Sequence, residues 1–313
     1  MPEDFASTEV VRTSEWKTRA GTTRRDPFPV VRLALSEMST YRWSLDEDVT
    51  AYREAGISAI GIWRSKLERF GAERGVDLIR ESGLDVSSLG WAGGFTGSAG
   101  YSFEEAVTDS REALRVAADL TADCLVVAGG GRGHHTARHA RRLVVGGLLR
   151  LADEAAECGV RLAVQPMHRS FYRDWTFLSS IDETLDLIAA CDHPSVSMAF
   201  DLFALWREPR LFERIDDLAG KVAVVKLSDW PDSPRSEYDR CLPGDGVIPL
   251  TDITRAFRNA GYGGPFEIEI WSEAVWNSDY GDVLRECRRW FDALSDPVLP
   301  RNRLSSNCDR PLV

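Results

Sequence analysis

The sequence has 313 residues, of which 43% are hydrophobic and 28% charged, with a formal net charge of −11. This length suffices for one large buried core, and the acidic balance argues against nucleic acid as a partner. No apolar run approaches the roughly 20 residues that span a bilayer, and the segment after Met1 lacks the apolar core of a signal peptide, so we expect a cytoplasmic protein with no membrane partner.

Residues 1–28 are polar and are expected to form an N-terminal extension. From residue 29 onwards, short apolar or β-branched runs alternate with longer stretches of helical periodicity. Eight such runs are predicted as strands: Val31–Leu35, Ala59–Ile62, Asp85–Leu89, Cys124–Ala128, Arg161–Gln165, Ser197–Asp201, Val222–Leu227 and Phe266–Ile270.

Glycines at positions 56, 83, 159 and 261 are predicted to end helices, and each is soon followed by the next strand. Eight repeated strand–helix units favour a parallel sheet closed into a (β/α)₈ barrel (TIM barrel) over residues 29–295, followed by an irregular tail over 296–313. An open doubly wound sheet is the alternative. The turn after the first strand, SEMSTYRWS, lacks the glycines of a dinucleotide-binding turn. This absence disfavours the open sheet.

The cysteines are widely spaced and form no CxxC pair, which argues against a zinc knuckle or a dithiol redox site. We expect them to be reduced thiols. They are Cys124, Cys158, Cys191, Cys241, Cys287 and Cys308.

Four charged residues occur inside three of the most apolar runs. Asp201, Lys226, Glu267 and Glu269 lie at or near the carboxyl ends of predicted strands six, seven and eight. Functional residues of a (β/α)₈ barrel lie at these strand ends. A charge in such an apolar place must be paired or bound to a ligand.

Five segments in order resemble the sugar phosphate isomerase/epimerase family, whose members are xylose-isomerase-like barrels. They are QPMHR, FDLFALWREP, KLSDW, DRCLPGDGVIPL and GYGGPFEIEIWSE, and the similarity runs from about Val30 to about Leu294. The resemblance implies a xylose-isomerase-like TIM barrel and an isomerase or epimerase acting on a sugar-like substrate. Barrels of this family often pair, so a homodimer is one state that the resemblance implies.

The family usually binds one divalent metal through Glu, Asp, His and Glu on strands five to eight. These positions fall here on Gln165, Asp201, Lys226 and Glu269, with Glu267 as the alternative on strand eight. A lysine ammonium has no lone pair and repels a metal ion. We therefore expect no metal cofactor. If Mn, Mg or Zn does bind, the remaining ligands are the two carboxylates and Gln165.

We hypothesise that the Lys226 ammonium takes the place of the metal and bridges Asp201 and Glu269. With Asp201, Glu269 or Glu267 as the base, Lys226 would stabilise the negative charge that develops on the substrate. The alternative is a purely structural ion pair. His168 is a further candidate catalytic residue, since it matches a family histidine after strand five, with a surface role as its alternative.

The substrate-binding candidates are polar or aromatic residues after strands. An aromatic wall suits the apolar face of a sugar or an aromatic ring; ordinary loop packing is the alternative. These candidates are Gln165, Arg240, Glu267, Trp63, Trp91, Trp271 and His134.

Three functions fit these observations. The first is proton transfer on a sugar-like or polyhydroxylated carbonyl compound by an isomerase- or epimerase-like enzyme without metal. The second is a lyase, dehydratase or cyclase that acts on a specialised, even aromatic, metabolite. The third is a non-catalytic small-molecule binder. One barrel fold serves many reactions, so the fold does not decide among them.

Overall fold

The computed structural model describes residues 32–98, 100–233 and 239–295. The predicted extension over 1–28 and tail over 296–313, with Cys308, lie outside these residues. The remaining five cysteines are free thiols.

Eight parallel strands form a closed barrel in sequence order, with β1 paired to both β2 and β8. This confirms the predicted fold class. The strands are β1 Arg32–Ser36, β2 Ala59–Trp63, β3 Asp85–Gly93, β4 Cys124–Ala128, β5 Arg161–Val164, β6 Val196–Asp201, β7 Val222–Leu227 and β8 Pro265–Ile268.

Helices follow the strands and cover the barrel. They are α1 Leu45–Glu54, α2 Arg64–Phe70, α3 Ala72–Ser82, α4 Phe103–Asp119, α5 Ala137–Cys158, α6 Ile181–Cys191, α7 Leu202–Leu205, α8 Leu211–Leu218, α9 Leu250–Asn259, α10 Glu273–Trp276 and α11 Tyr280–Ser295. None of the helices in the described part of the chain is both long and apolar enough to traverse a bilayer.

Local sequence signals explain where several helices begin and end. Ser44 and Ser102 each form a capping box with the glutamate three residues later, at the starts of α1 and α4. Gly83 and Gly159 follow α3 and α5 with φ of 75° and 72°, a backbone conformation that glycine adopts without strain.

The largest difference from the predicted strands is β3, which continues four residues beyond Leu89. The register between β3 and β4 shifts between Gly90 and Ala92, so Trp91 lies at an irregularity of the ladder. A bulge lets a strand continue through glycine-rich sequence that resembles a loop. This extension carries Trp91 to the mouth of the barrel.

Strand alternation separates two sets of buried side chains. Leu125, Val127 and Phe200 belong to the large core beneath the helices, whereas Val126 and Ala199, one position away, belong to a smaller cluster formed by β4 to β7. The smaller cluster therefore fills the inside of the barrel.

Candidate active site

The polar and charged candidates continue the inner side of the barrel. Gln165, Asp201 and Lys226 lie two residues beyond Ala163, Ala199 and Val224, which belong to the inner cluster. The register pairs Asp201 with Lys226, and Lys226 with Glu267. Since every second residue of a strand faces the same way, these side chains meet inside the carboxyl end of the barrel.

Asp201 is held by Arg240. The Arg240 guanidinium donates through Nη2 to Asp201 Oδ2 at 3.0 Å and through Nη1 to Oδ1 at 3.5 Å. The Phe203 backbone N–H donates to Oδ1 at 3.1 Å and Gln165 Nε2 to Oδ2 at 3.4 Å. Both oxygens of Asp201 therefore accept hydrogen bonds from neighbouring groups.

Lys226 lies between Glu267 of strand β8 and Glu269, the residue directly after that strand. Its Nζ is 2.5 Å from Glu269 Oε2 and 3.4 Å from Glu267 Oε1. The hypothesis that Lys226 bridges Asp201 and Glu269 is thus wrong for one of the two partners. Asp201 forms its ion pair with Arg240, and the second carboxylate beside Lys226 is that of Glu267. The physical reason is the register, which sets Glu267 directly opposite Lys226 on the neighbouring strand.

The charges of this cluster are almost completely withdrawn from solvent. Asp201, Lys226, Arg240, Glu267 and Glu269 are between 0% and 3% exposed. Three carboxylates and two cations leave one uncompensated negative charge. Burial of such a charge is unfavourable unless a proton neutralises it.

The pKa shifts of Lys226 and Glu269 agree with this excess of negative charge. Burial would lower the pKa of Lys226, but Glu269 and Glu267 outweigh burial and raise it, so the side chain is an ammonium ion. Burial raises the pKa of Glu269, although Lys226 opposes that rise. Glu269 Oε1 has no hydrogen-bond partner among the described residues. Glu269 therefore has an oxygen free to accept a proton, whereas both oxygens of Asp201 already accept hydrogen bonds.

Gln165 is fixed by its two neighbours. The Trp91 indole N–H donates to Gln165 Oε1 at 3.0 Å, and the amide nitrogen faces Asp201. The one Gln165 atom that could ligate a metal ion is therefore already an acceptor.

Aromatic rings pack beside both cations. The Trp91 ring lies 5.2 Å from Lys226 Nζ and the Trp271 ring 5.6 Å from Arg240 Cζ, which are cation–π distances. Trp91, Trp175 and Trp271 contact one another edge to face at 5.4 to 5.8 Å, and Phe171 contacts Trp271. The predicted aromatic wall thus contains Trp91 and Trp271.

The other candidates lie further from the charges. Trp63 stacks on Tyr41 and lines a cavity of about 260 Å³ with Trp91 and Trp175. His168 bonds through Nδ1 to Ser170 Oγ at 2.7 Å and lines a cavity of about 410 Å³. His134 is exposed and lines a third cavity, on the β4–α5 loop.

Several residues of the site were not predicted from the sequence. Ser87 and Ser88 on β3 donate to Glu267 Oε2 at 2.6 and 2.7 Å, and Ser36 on β1 donates to Glu269 Oε2 at 3.4 Å. Trp175 was also missed. A serine within a strand has no sequence pattern that indicates a hydrogen bond to a buried glutamate. Trp175 lies in a polar loop, where its aromatic character was the one feature that could have indicated a place in the site.

A second buried charged cluster lies on the outer side of β1. Lys66 Nζ is 2.5 Å from Asp48 Oδ2 and 4.0 Å from Glu37 Oε1. Burial raises the pKa of Asp48 to about 6 and raises that of Glu37 well above its ordinary value. Glu37 and Asp48 follow no predicted functional pattern, and their side chains connect β1 to α1 and α2.

The donor set does not fit the divalent metal that the family resemblance implies. Lys226 and Arg240 already neutralise the carboxylates that a metal ion would use, and Gln165 Oε1 is taken by Trp91. Within residues 32–98, 100–233 and 239–295, no three His, Cys, Asp or Glu side chains are grouped as metal ligands.

Comparison with known proteins places the fold in a family. Residues 49–294 match the model of the xylose isomerase-like TIM barrel family. The chain belongs to this family. The match confirms the family resemblance seen in the sequence.

Two curated relatives show which enzymes are similar. L-ribulose-5-phosphate 3-epimerase UlaE of Escherichia coli K12 is 23% identical over 288 residues, which cover 89% of each chain. The 3-dehydroshikimate dehydratase of Pseudomonas putida KT2440 is 24% identical over 141 residues, 42% of this chain and 21% of that protein. The full-length similarity to an epimerase agrees with the predicted enzyme type, isomerase- or epimerase-like.

Solved structures show the same fold. Protein SMc04130 of Sinorhizobium meliloti 1021 is 29% identical with a TM-score of 0.78, covering 84% of this chain and 98% of that one. D-allulose 3-epimerase of a Methylomonas species is 17% identical with a TM-score of 0.70, covering 86% and 99%.

Proposed function

We propose that this protein is an isomerase- or epimerase-like enzyme that moves a proton next to the carbonyl of a sugar-like substrate without a divalent metal. One observation carries the proposal: the Lys226 ammonium lies between Glu267 and Glu269, where the family resemblance puts a metal-ligating histidine. The family relationship and the epimerase relatives support the reaction type.

Each residue of the cluster has a role in this proposal. Lys226 stabilises the negative charge that develops on the carbonyl oxygen, which a positioned cation does well in a buried site. Glu269, with its raised pKa and its unpartnered oxygen, exchanges the proton. Arg240 and Asp201 orient the polar groups of the substrate, and Trp91 and Trp271 exclude water.

The test combines metal analysis with Lys226→Met. Protein purified without chelator should contain no stoichiometric divalent ion. In D₂O it should exchange the proton beside the carbonyl of L-ribulose 5-phosphate or D-allulose, and EDTA should not slow this exchange. Lys226→Met should lose exchange by about a hundredfold or more, because an electrostatic partner of the developing charge is removed.

The control is Lys66→Met, which removes the other buried lysine of the described residues that pairs with carboxylates. It should lower stability but leave exchange per folded molecule within about threefold of the wild type. A tightly held stoichiometric metal, or full exchange by folded Lys226→Met, would overturn the metal-free mechanism.

A second candidate is elimination of water, which the similarity to 3-dehydroshikimate dehydratase favours. Gln165 takes the place of one of the two family carboxylates, and an elimination needs one base where a two-base epimerisation needs two. Incubation with 3-dehydroshikimate distinguishes the two reactions, since mass spectrometry detects the loss of water.

A further inference from the structure

A cavity of about 680 Å³ lies among three loops on the carboxyl side of the barrel, apart from the charged cluster. We call it the loop cavity. It is lined by residues 96–98 of the β3–α4 loop, 132–135 of the β4–α5 loop and 172–174 of the β5–α6 loop. Its volume falls in the range of sites for small organic ligands.

Two glycines allow these loops to pack closely. A Cβ at Gly131 would lie 1.7 Å from the Arg173 carbonyl oxygen, and one at Gly130 would lie 2.2 Å from Thr96 Oγ1. Gly130 also has φ of 98°, which other residues rarely adopt. The glycine run after β4 is therefore required for close packing of the three loops.

The lining of the loop cavity is cationic in a chain of net charge −11. Arg132 and Arg173 come from different loops, and the Arg132 side chain has no hydrogen-bond or ion-pair partner among the described residues. The opposing acid is Asp174, 4.0 Å from Arg173, but both side chains are mostly exposed, so this pair is weak.

Polar donors complete the lining. Ser98 Oγ accepts hydrogen bonds from the Gly131 N–H at 2.9 Å and from Thr96 Oγ1 at 3.3 Å, so its own proton remains available. The first turn of the neighbouring 22-residue helix α5 contains no acidic residue that would repel an anion.

We propose that the loop cavity binds the phosphate group of a phosphate monoester. Guanidinium groups match phosphate oxygens in geometry and charge, and two arginines from separate loops line this cavity. The loops of the cavity also connect to the charged cluster. The Gly130 N–H donates to the Trp175 carbonyl at 2.8 Å, and the Trp175 ring contacts Trp91 and Trp271. That the phosphate belongs to the substrate rests on the proposed function.

The test measures binding directly and does not depend on turnover. Inorganic phosphate, L-ribulose 5-phosphate and L-ribulose are titrated into the full chain by calorimetry, at constant ionic strength set with chloride. The double variant Arg132→Gln/Arg173→Gln should bind inorganic phosphate and the sugar phosphate about tenfold or more weakly. Arg138→Gln is the control, because it removes one positive charge at the start of α5 from a residue that does not line the cavity.

Each outcome has a defined meaning. Loss of phosphate affinity in the double variant, but not in Arg138→Gln, supports the site, and tighter wild-type binding of the sugar phosphate than of the sugar assigns the phosphate to the substrate. Equal affinity for the sugar and its phosphate, with phosphate binding still lost in the double variant, supports a site for free phosphate. Phosphate binding that is absent, or that both variants retain, overturns the proposal. Failure of the wild type to turn over any sugar bears on the proposed function alone.

Discussion

Two substitutions relative to the family pattern change the chemistry of the site at the scale of single residues. Gln165 cannot supply a negative charge, and Trp91 uses its carbonyl oxygen. Lys226 supplies a positive charge where a neutral histidine would ligate, and its pKa is raised, so it stays an ammonium at any physiological pH. We propose that these two residues together replace a metal-binding set of ligands by a set in which side-chain cations balance the carboxylates.

Restoring the two residues should restore metal binding. In Gln165→Glu/Lys226→His the ammonium is lost, and a carboxylate and an imidazole, both ordinary metal ligands, are introduced. We expect this variant to retain about one Mn²⁺ or Zn²⁺ per chain after dialysis, measured by plasma mass spectrometry.

The single variant Gln165→Glu is the control, because it retains the Lys226 ammonium and should not retain the ion. Metal binding by the single variant, or by neither, would mean that Lys226 is not what excludes the metal.

At the scale of elements, a glycine on strand β2 leaves the space that the side chain of Glu267 on strand β8 fills. Gly61 on β2 faces Glu267, and a Cβ there would lie 2.6 Å from Glu267 Oε2. The absence of a side chain at Gly61 therefore lets Glu267 reach Ser87, Ser88 and Lys226.

We expect Gly61→Ala to displace the Glu267 carboxylate and to lower the free energy of unfolding by about 2 kcal/mol or more, the usual cost of overpacking a rigid interior. The urea-unfolding midpoint measures this effect. Gly220→Ala is the matched control, since no atom lies within 4 Å of its Cβ position and its φ is not positive. Equal stability of the two variants would show that the barrel interior adjusts without cost.

The elements themselves were largely predictable from the sequence. Apolar runs and helix-ending glycines are local signals, and they located all eight strands to within a few residues. The extension of β3 was not predictable, because a bulge allows GWAG, a loop-like sequence, to continue the strand. The residues Asp201, Lys226 and Glu269 were recognisable as charges within apolar strands. Which acid pairs with Lys226 depends on the register between β7 and β8, and no local pattern encodes that register.

At the scale of the whole molecule, two buried clusters each contain more carboxylates than lysines or arginines. One is the barrel site, and the other joins Glu37, Asp48 and Lys66 between the barrel and its helices. Burial raises the pKa of Glu269, Glu37 and Asp48 alike, so folding favours the protonated form of each carboxyl group. Both clusters should therefore make stability depend on pH.

The direction of this dependence follows for Asp48, whose pKa rises from 3.8 to about 6 on folding. Its protonated form is favoured in the folded state, so this stabilisation is complete below about pH 4 and is lost as pH rises through about 6. Relative to Asp48→Asn, which cannot titrate, the wild type should lose about 3 kcal/mol of stability between pH 4 and 7, from a shift of about two pKa units. Urea midpoints across this range measure the difference.

Asp46→Asn on the same helix is the control. The exposed Asp46 carboxyl has a lowered pKa because Ser44 donates to it, so the wild type should show no such loss of stability relative to this variant above pH 4. A difference between the wild type and Asp48→Asn that stays flat, or grows with pH, would contradict the buried proton.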